Sequence, residues 1–455
     1  MCLATALIGA AVFWPNLNSP LLHDSYGLIY LPSRQSFGDI VRGFYTHPAS
    51  ADFFFRPLSY AAYWLLSKWA RFEPFRWHLG SLAVHVINSL SVYLLARQLS
   101  YSKFAAFAAS LLFAIHGSRP EAVSWAASRV DLLATFFVLL ALLSINQLLD
   151  TGQRRWYWFI AICTVAALLS KESAYCLPFL AFAMLFVRSR RKDAWSVIAL
   201  LAVLCAAVFS YRYWLVGSIG GYGAASGDPA ILHFSLLRTL NALFFRQWAI
   251  LFFPINWSEP PNGFLWLTMG LMLGLLIALL IRPRGDRRLL LAGLAMTVAA
   301  ALPVQHLLLI GSDLNGARVL YLPALGLTLF WGALIQRCGS FKLQAALVAG
   351  LSLFQIAALG HNLFIWREAA SLGQQSCRFI ARELIANDAP IAVQNLPAKW
   401  KGVYFLSNSF PVCVLLNSDG KLHTPPAITT DAAPGEARTF RWNEATRQFQ
   451  IEPSY

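Results

Sequence analysis

About eleven apolar runs, most of them close to the ~20 residues a helix needs to cross a bilayer, recur along this chain between short polar loops. Inside lipid every backbone N–H and C=O has to be satisfied within the protein, which confines such a sequence to a helical bundle. The runs lie near residues 1–14, 77–97, 103–116, 130–149, 156–170, 174–187, 194–214, 264–281, 289–310, 318–336 and 341–359. Only 13% of the residues are charged and 58% are hydrophobic, against about 25% charged in soluble domains. The expected fold class is an all-α polytopic membrane protein of about eleven transmembrane helices.

Charge sets the expected orientation. Loops on one side hold fourteen basic residues (Arg97, Lys103, Arg154, Arg155, Arg188, Arg190, Arg191, Lys192, Arg282, Arg284, Arg287, Arg288, Arg337, Lys342) against Asp150, Asp193 and Asp286. The short opposite loops hold seven (Arg119, Arg129, Lys171, Arg212, Arg238, Arg246, Arg318) against six acids. The positive-inside rule then puts the N-terminus inside and the tail outside. The net charge of +15 is accounted for by these loops. No basic face interleaved with aromatics suggests a nucleic-acid partner. Seven cysteines without a CxxC pair indicate neither a zinc site nor a redox motif.

Residues 1–14 read as a first transmembrane helix or as a signal-peptide core, and the lack of a small-residue cleavage site favours the helix. Residues 15–76 form a large external loop with helices expected near 36–45 and 57–70. The second of these, PLSYAAYWLLSKWARF, suits an interfacial position. Residues 239–254 read as a re-entrant or surface segment. Two parts follow: a transmembrane catalytic domain over 1–359 and a small extracytoplasmic C-terminal domain over 360–455. The tail is expected to be helical over 360–385. Beyond it lie candidate strands IAVQNL, GVYFLSN, PVCVLLN, ARTFRW and RQFQIE, with NSDGKL as a hairpin turn, so a small α+β or β-rich cap is expected. Cys377 and Cys413 both fall outside and are able to pair if their geometry permits.

This topology gathers polar residues on one face. Asp24 and the Asp52–Arg56 pair lie in the first external loop. His78 and His85 share a stripe two turns apart. The rim SLLFAIHGSRPEAVSWAASRVDLL carries His116, Arg119, Glu121, Trp125, Arg129 and Asp131. Lys171–Glu172, Arg238 with Arg246, and Asp313, Arg318 and Tyr321 complete the set. Each has a plain structural alternative. The histidines pack or bond helices, Lys171 and Glu172 neutralise each other, the arginines snorkel to headgroups, and the rim forms a salt-bridge web. Taken together, one or two acids, several cations and many aromatics suit chemistry on a membrane-borne phosphorylated substrate. A transporter or flippase would instead favour repeats and broken spans around a midplane site. A surface-polysaccharide polymerase or ligase would share the external lipid-phosphate site.

LLFAIHGSRPEAVSWAASRVDLLA resembles the LFAVHPxxxEAVxxxxGRxDLL signature of the TMTC-type protein O-mannosyltransferases, family C (GT-C fold) enzymes that use polyprenyl-phosphate sugars. Further segments match in order. HDSYGLI resembles a DDxxxI catalytic loop, FFRPLSY a YRPL element, and WHLGSLAVH the pattern FHxxNxxxH. LLSKESA resembles LLSKE, ARVLYLPALG resembles ERVLYLPSLG, and HNLFIWREAASL resembles the last-span exit.

The resemblance implies a GT-C-like fold with Asp24 as the base that deprotonates an acceptor hydroxyl. It puts Arg56, His78, His85, His116, Glu121, Arg129, Lys171, Glu172, Arg318 and Tyr321 on family-motif positions. The implied reaction is an inverting transfer of mannose or a similar hexose, with the lipid phosphate leaving toward Arg129, Arg318 and Lys171, and Arg246 beside them. The acceptor is a protein, a glycan or a lipid. No tightly bound cofactor is expected beyond the polyprenyl-phosphate sugar as co-substrate, and a divalent metal is possible but not favoured. Ser25 replaces the family's second acid, and Ser81, Gly117, Ser128 and Ala317 depart from its Asn, Pro, Gly and Glu. The tail has no 34-residue repeat, which points to a multi-pass protein of a bacterial inner membrane with its site facing the periplasm.

Overall fold

The computed structural model describes residues 1–46, 54–188, 194–219, 221, 235–280, 287–387, 391–429 and 438–451. Asp52, Arg190, Arg191, Lys192, Asp193, Arg282, Arg284 and Asp286 therefore lie outside the described residues.

Each of the apolar runs contains helix. Among the described residues five helices are long and apolar enough to cross a membrane: Pro74–Gln98, Ala126–Thr151, Ala194–Val216, Arg287–Leu307 and Phe341–Ala386. The runs at Cys2–Asn16, Lys103–Ala114, Arg155–Ser170, Glu172–Val187, Gly263–Leu275 and Pro323–Gln336 form shorter apolar helices of 10–17 residues. The large core they share includes Val92, Leu112, Leu142, Leu180, Leu325 and Phe354. The broad apolar surface left over, including Trp158, Phe182, Trp214 and Leu267, suits contact with lipid.

The first long loop holds Phe37–Arg42 and Pro57–Ala70 as expected, and a third helix, Asp24–Arg34, that no apolar pattern in the sequence marks. Ser36 caps the first of these by a reciprocal box with Asp39. The segment 239–254 is a broken helix: Leu236–Asn241, a π turn Ala242–Arg246 and Gln247–Phe252. Turns of this kind often mark functional positions.

The C-terminal region corrects two expectations. PVCVLLN is a helix, Phe410–Leu416, not a strand. Phe410, Cys413 and Val414 recur at helical spacing, all three are buried, and Pro411 stands at the first turn where its missing N–H costs nothing. NSDGKL follows that helix as a turn with left-handed Asp419 and Gly420 and joins no hairpin. Of GVYFLSN only Val403–Tyr404 is strand, and it pairs antiparallel with Lys399–Trp400 apart from the other four strands, which form a mixed sheet. Ile391–Gln394 pairs in parallel with Ile428–Thr429 and Arg438–Asn443, and Gln448–Ile451 adds antiparallel to the latter. Cys377 and Cys413 form a disulfide.

Two features join the parts. Helix Phe341–Ala386 runs unbroken through position 360. A second core then combines Leu21, Leu22, Tyr26, Ile29 and Tyr63 of the first loop with Cys377, Phe405, Phe410 and Phe440 of the tail. Burial of each large apolar side chain contributes roughly 1.5–3 kcal/mol, so loop and tail hold each other in place.

Candidate active site

Asp24 opens the helix Asp24–Arg34, where unpaired N–H groups carry partial positive charge and favour a carboxylate. His23 precedes it in a left-handed conformation with φ 50°. Its Nδ1 stands 3.1 Å from Asp24 Oδ1, and the Asp24 side chain is 34% exposed. His23 Nε2 lies 2.9 Å from Ser407 Oγ. Burial pushes the Asp24 carboxyl up. The close approach and charge of His23, the amide of Asn408 and the charge of Arg318 together outweigh it, leaving Asp24 below the usual carboxylate range.

An aromatic wall backs this pair. Trp125 and Tyr404 stack at 5.3 Å, and the His23 ring lies 5.3 Å from Tyr404 and 6.0 Å from Trp125. Arg318 covers the same two rings, 5.1 Å from Trp125 and 5.5 Å from Tyr404, while its guanidinium pairs with buried Glu121. The Trp125 indole N–H donates to Leu22 O at 3.1 Å, which ties the rim to the segment just before Asp24.

A second charged cluster lies along the same strip. Arg56 grips Glu172 with two hydrogen bonds of 2.9 and 2.7 Å, and Arg212 approaches the same carboxylate at 3.4 Å. Lys171 pairs with Asp131 at 2.5 Å. Arg56, Arg212 and Lys171 thus stand together here with Glu172 and Asp131, a gathering of cations of the kind that binds phosphate. Helix Pro57–Ala70 connects this cluster to the rim. Ser59 donates to Ser170 O, and the Tyr63 hydroxyl stands 2.9 and 2.8 Å from the carbonyls of Ala126 and Ala127.

The other sequence candidates sit deeper. His78 reaches Ser19 O at 3.1 Å. His85 bridges the Tyr321 hydroxyl at 2.7 Å and Ala114 O at 2.9 Å, and His116 bridges Ser118 Oγ and Leu251 O. Arg129 donates to Trp77 O and Ser81 Oγ and lies over the Tyr63 and Trp77 rings. These groups brace the helices beneath the site. Arg246, in the π turn, donates to Ile310 O. The sequence reading also passes over Tyr404, Ser407 and Asn408. They lie more than 370 residues from His23, and no local pattern in GVYFLSN signals a site.

Among the described residues no group of three His, Cys, Asp or Glu side chains stands together as a metal-holding cluster. An apolar groove of about 910 Å³ opens between helices Leu177–Val187, Gln247–Phe252 and Arg287–Ala301, lined by Phe179, Phe182, Phe186, Trp248, Phe252 and Val298 among others.

Comparison with known proteins adds four findings. A family profile described as dolichyl-phosphate-mannose-protein mannosyltransferase matches residues 46–214. A protein O-mannosyl-transferase of Caenorhabditis elegans, F38B6.6, is 24% identical over 384 residues, 78% of this chain and 52% of that protein. Tmtc1 of Drosophila melanogaster, also a protein O-mannosyl-transferase, is 34% identical over 121 residues, 26% of this chain and 14% of its own length. The chain thus spans about half the length of the first relative and far less of the second. Among solved structures, ArnT from Cupriavidus metallidurans bound to undecaprenyl phosphate superposes with a TM-score of 0.52 at 14% identity, covering 95% of this chain and 86% of ArnT.

Proposed function

We propose that this chain, which has the helical membrane fold of the GT-C glycosyltransferases and resembles the protein O-mannosyltransferases, is itself a membrane glycosyltransferase. It moves mannose or a similar hexose from a polyprenyl-phosphate donor to a hydroxyl on a protein or glycan. The site faces the extracytoplasmic side of a bacterial inner membrane. One observation carries the reading: Asp24, chosen from sequence as the base, stands partly open to solvent at a helix N-terminus, within the electrostatic reach of Arg318.

The chemistry follows from that arrangement. Asp24 takes the proton of the acceptor hydroxyl, whose oxygen attacks the anomeric carbon in a single displacement that inverts it. The lipid phosphate leaves as an anion, stabilised by hydrogen bonds and charge from Arg318, Arg56, Arg212 and Lys171. ArnT binds undecaprenyl phosphate, and the groove lined by Phe179, Phe182 and Trp248 is apolar enough to take a polyprenyl tail of that kind.

The test is transfer of radiolabelled mannose from polyprenyl-phosphate mannose by the protein reconstituted in liposomes. Asp24→Asn is expected to lower the rate by at least ~10²-fold while membrane insertion and thermal unfolding stay as in the parent. An unchanged rate removes Asp24 from the mechanism. Release of a pyrophosphate-linked carrier points to a polymerase, and lipid movement without bond cleavage to a flippase.

A further inference from the structure

We propose, resting on the glycosyltransferase reading, that the chain glycosylates itself on Ser407. The inference deepens that reading by naming an acceptor: a serine hydroxyl carried on the enzyme's own tail.

The geometry starts with the proton. An acceptor hydroxyl has to hand its proton toward the base as its oxygen attacks. Ser407 Oγ lies 2.9 Å from His23 Nε2, and the opposite ring nitrogen lies 3.1 Å from Asp24 Oδ1. The imidazole takes the serine proton at Nε2, and the Asp24 carboxylate, close to Nδ1 without an aligned hydrogen bond to it, stabilises by its charge the imidazolium that forms. Ser407 is exposed, whereas His23 is buried. The nearby Ser409 is held away from this role. Its Oγ packs so closely on Gly27 that a Cβ there would come within 2.5 Å of it.

The loop that carries Ser407 is pinned at both ends. On one side Asn256 donates to Lys401 O and Asn315 to Gly402 O. Gly402 itself is left-handed at φ 84°, and any Cβ there would lie 2.2 Å from Asp313 O. On the other side helix Phe410–Leu416 is fastened to the long helix Phe341–Ala386 through Cys377–Cys413. A hydroxyl held at one position competes with a diffusing acceptor at an effective concentration far above any free one. Arg318, over Trp125 and Tyr404, stands beside it to receive the departing phosphate.

The step balances. A bond forms between Ser407 Oγ and the anomeric carbon as the bond from that carbon to the phosphate oxygen breaks. The electron pair leaves with the polyprenyl phosphate, and the Ser407 proton passes to His23, which for this internal acceptor takes the part that Asp24 takes for a diffusing hydroxyl. The products are O-glycosyl Ser407 and polyprenyl phosphate.

The experiment incubates the purified full chain with polyprenyl-phosphate [³H]mannose and no other acceptor, then maps the label by peptide mass spectrometry. Turnover of the same donor onto a panel of Ser/Thr peptides is measured in parallel. One hexose per chain on the peptide containing Ser407 is expected, retained in Ser407→Thr and lost in Ser407→Ala and Asp24→Asn. Thermal unfolding of each variant checks that loss of label is not loss of fold. Turnover onto peptides with Ser407 unmodified overturns self-glycosylation and leaves the enzyme reading standing, as does label at any other residue. Neither labelling nor turnover overturns both.

Discussion

Arg318 has two duties whose consequences differ when it is changed. It covers Trp125 and Tyr404 at the mouth of the site and neutralises Glu121, whose side chain is only 3% exposed. Removal of one partner of a buried pair costs about 3–5 kcal/mol because a charge is left uncompensated, so Arg318→Ala is expected to lose both stability and donor use. Arg318→Lys keeps the charge without the planar fork. It is expected to fold normally and to show a donor KM raised roughly tenfold; steady-state kinetics with varied donor checks this, and an unchanged KM takes Arg318 out of the phosphate site. Asp24 sets the pH dependence. A base works when deprotonated, and its lowered pKa keeps it so down to pH values below the ordinary ~3.9 of an aspartate. Transfer to a free acceptor by folded protein is therefore expected to lack an acid limb down to about pH 4, and loss of the rate above that pH while the protein stays folded would contradict a base held below the usual carboxylate range. The same shift has a sign for folding: its stabilisation is present above the unfolded carboxyl value and is lost as pH falls through the folded one. At this scale Asp24, Glu121 and Arg318 were legible because each sits in a motif. Ser407 and Asn408 were not, since what gives them meaning is a neighbour 384 positions away in sequence.

Elements were legible wherever a periodic apolar pattern ran long enough. Pro74–Gln98 and Arg129–Thr151 appear within a few residues of the expected spans. The failures are short segments. PVCVLLN satisfies both an alternating and a helical reading over seven residues, and only its burial against helix Phe341–Ala386 and the bond to Cys377 decides between them. Small residues show where helices approach most closely. A Cβ on Gly326 would lie 2.3 Å from the backbone N of Thr297, and one on Gly293 would lie 2.7 Å from that of Phe330. Helices Arg287–Ala301 and Pro323–Gln336 therefore touch backbone to backbone, the contact that small residues permit inside membranes. Gly326→Ala is expected to destabilise by ~1–3 kcal/mol through overpacking, read as a lowered midpoint of thermal unfolding in detergent. Gly270→Ala, where a Cβ meets nothing within 4 Å, serves as the control and is expected to leave the midpoint within the small range of surface changes.

For the whole molecule, the charge bias gives a testable orientation. Arg154 and Lys421 belong to opposite faces in that topology, the first among the basic loops and the second in the tail. In a background without free thiols, Lys421→Cys is expected to react with a membrane-impermeant maleimide in intact cells, and Arg154→Cys only after permeabilisation. The reverse pattern would put the site in the cytoplasm. The sequence by itself determined that this chain is a helical membrane protein, where its long apolar helices run, and which motifs carry an acid and several cations. Those properties follow from apolar length and local pattern, which lipid enforces whatever the partners. Tertiary structure alone decided that the tail folds back onto the first loop. Phe405 and Phe410 share a core with Leu22 and Tyr26, and so Tyr404, Ser407 and Asn408 meet His23 and Asp24. Burial of apolar surface between segments far apart in sequence is non-directional and leaves no periodic trace in either segment.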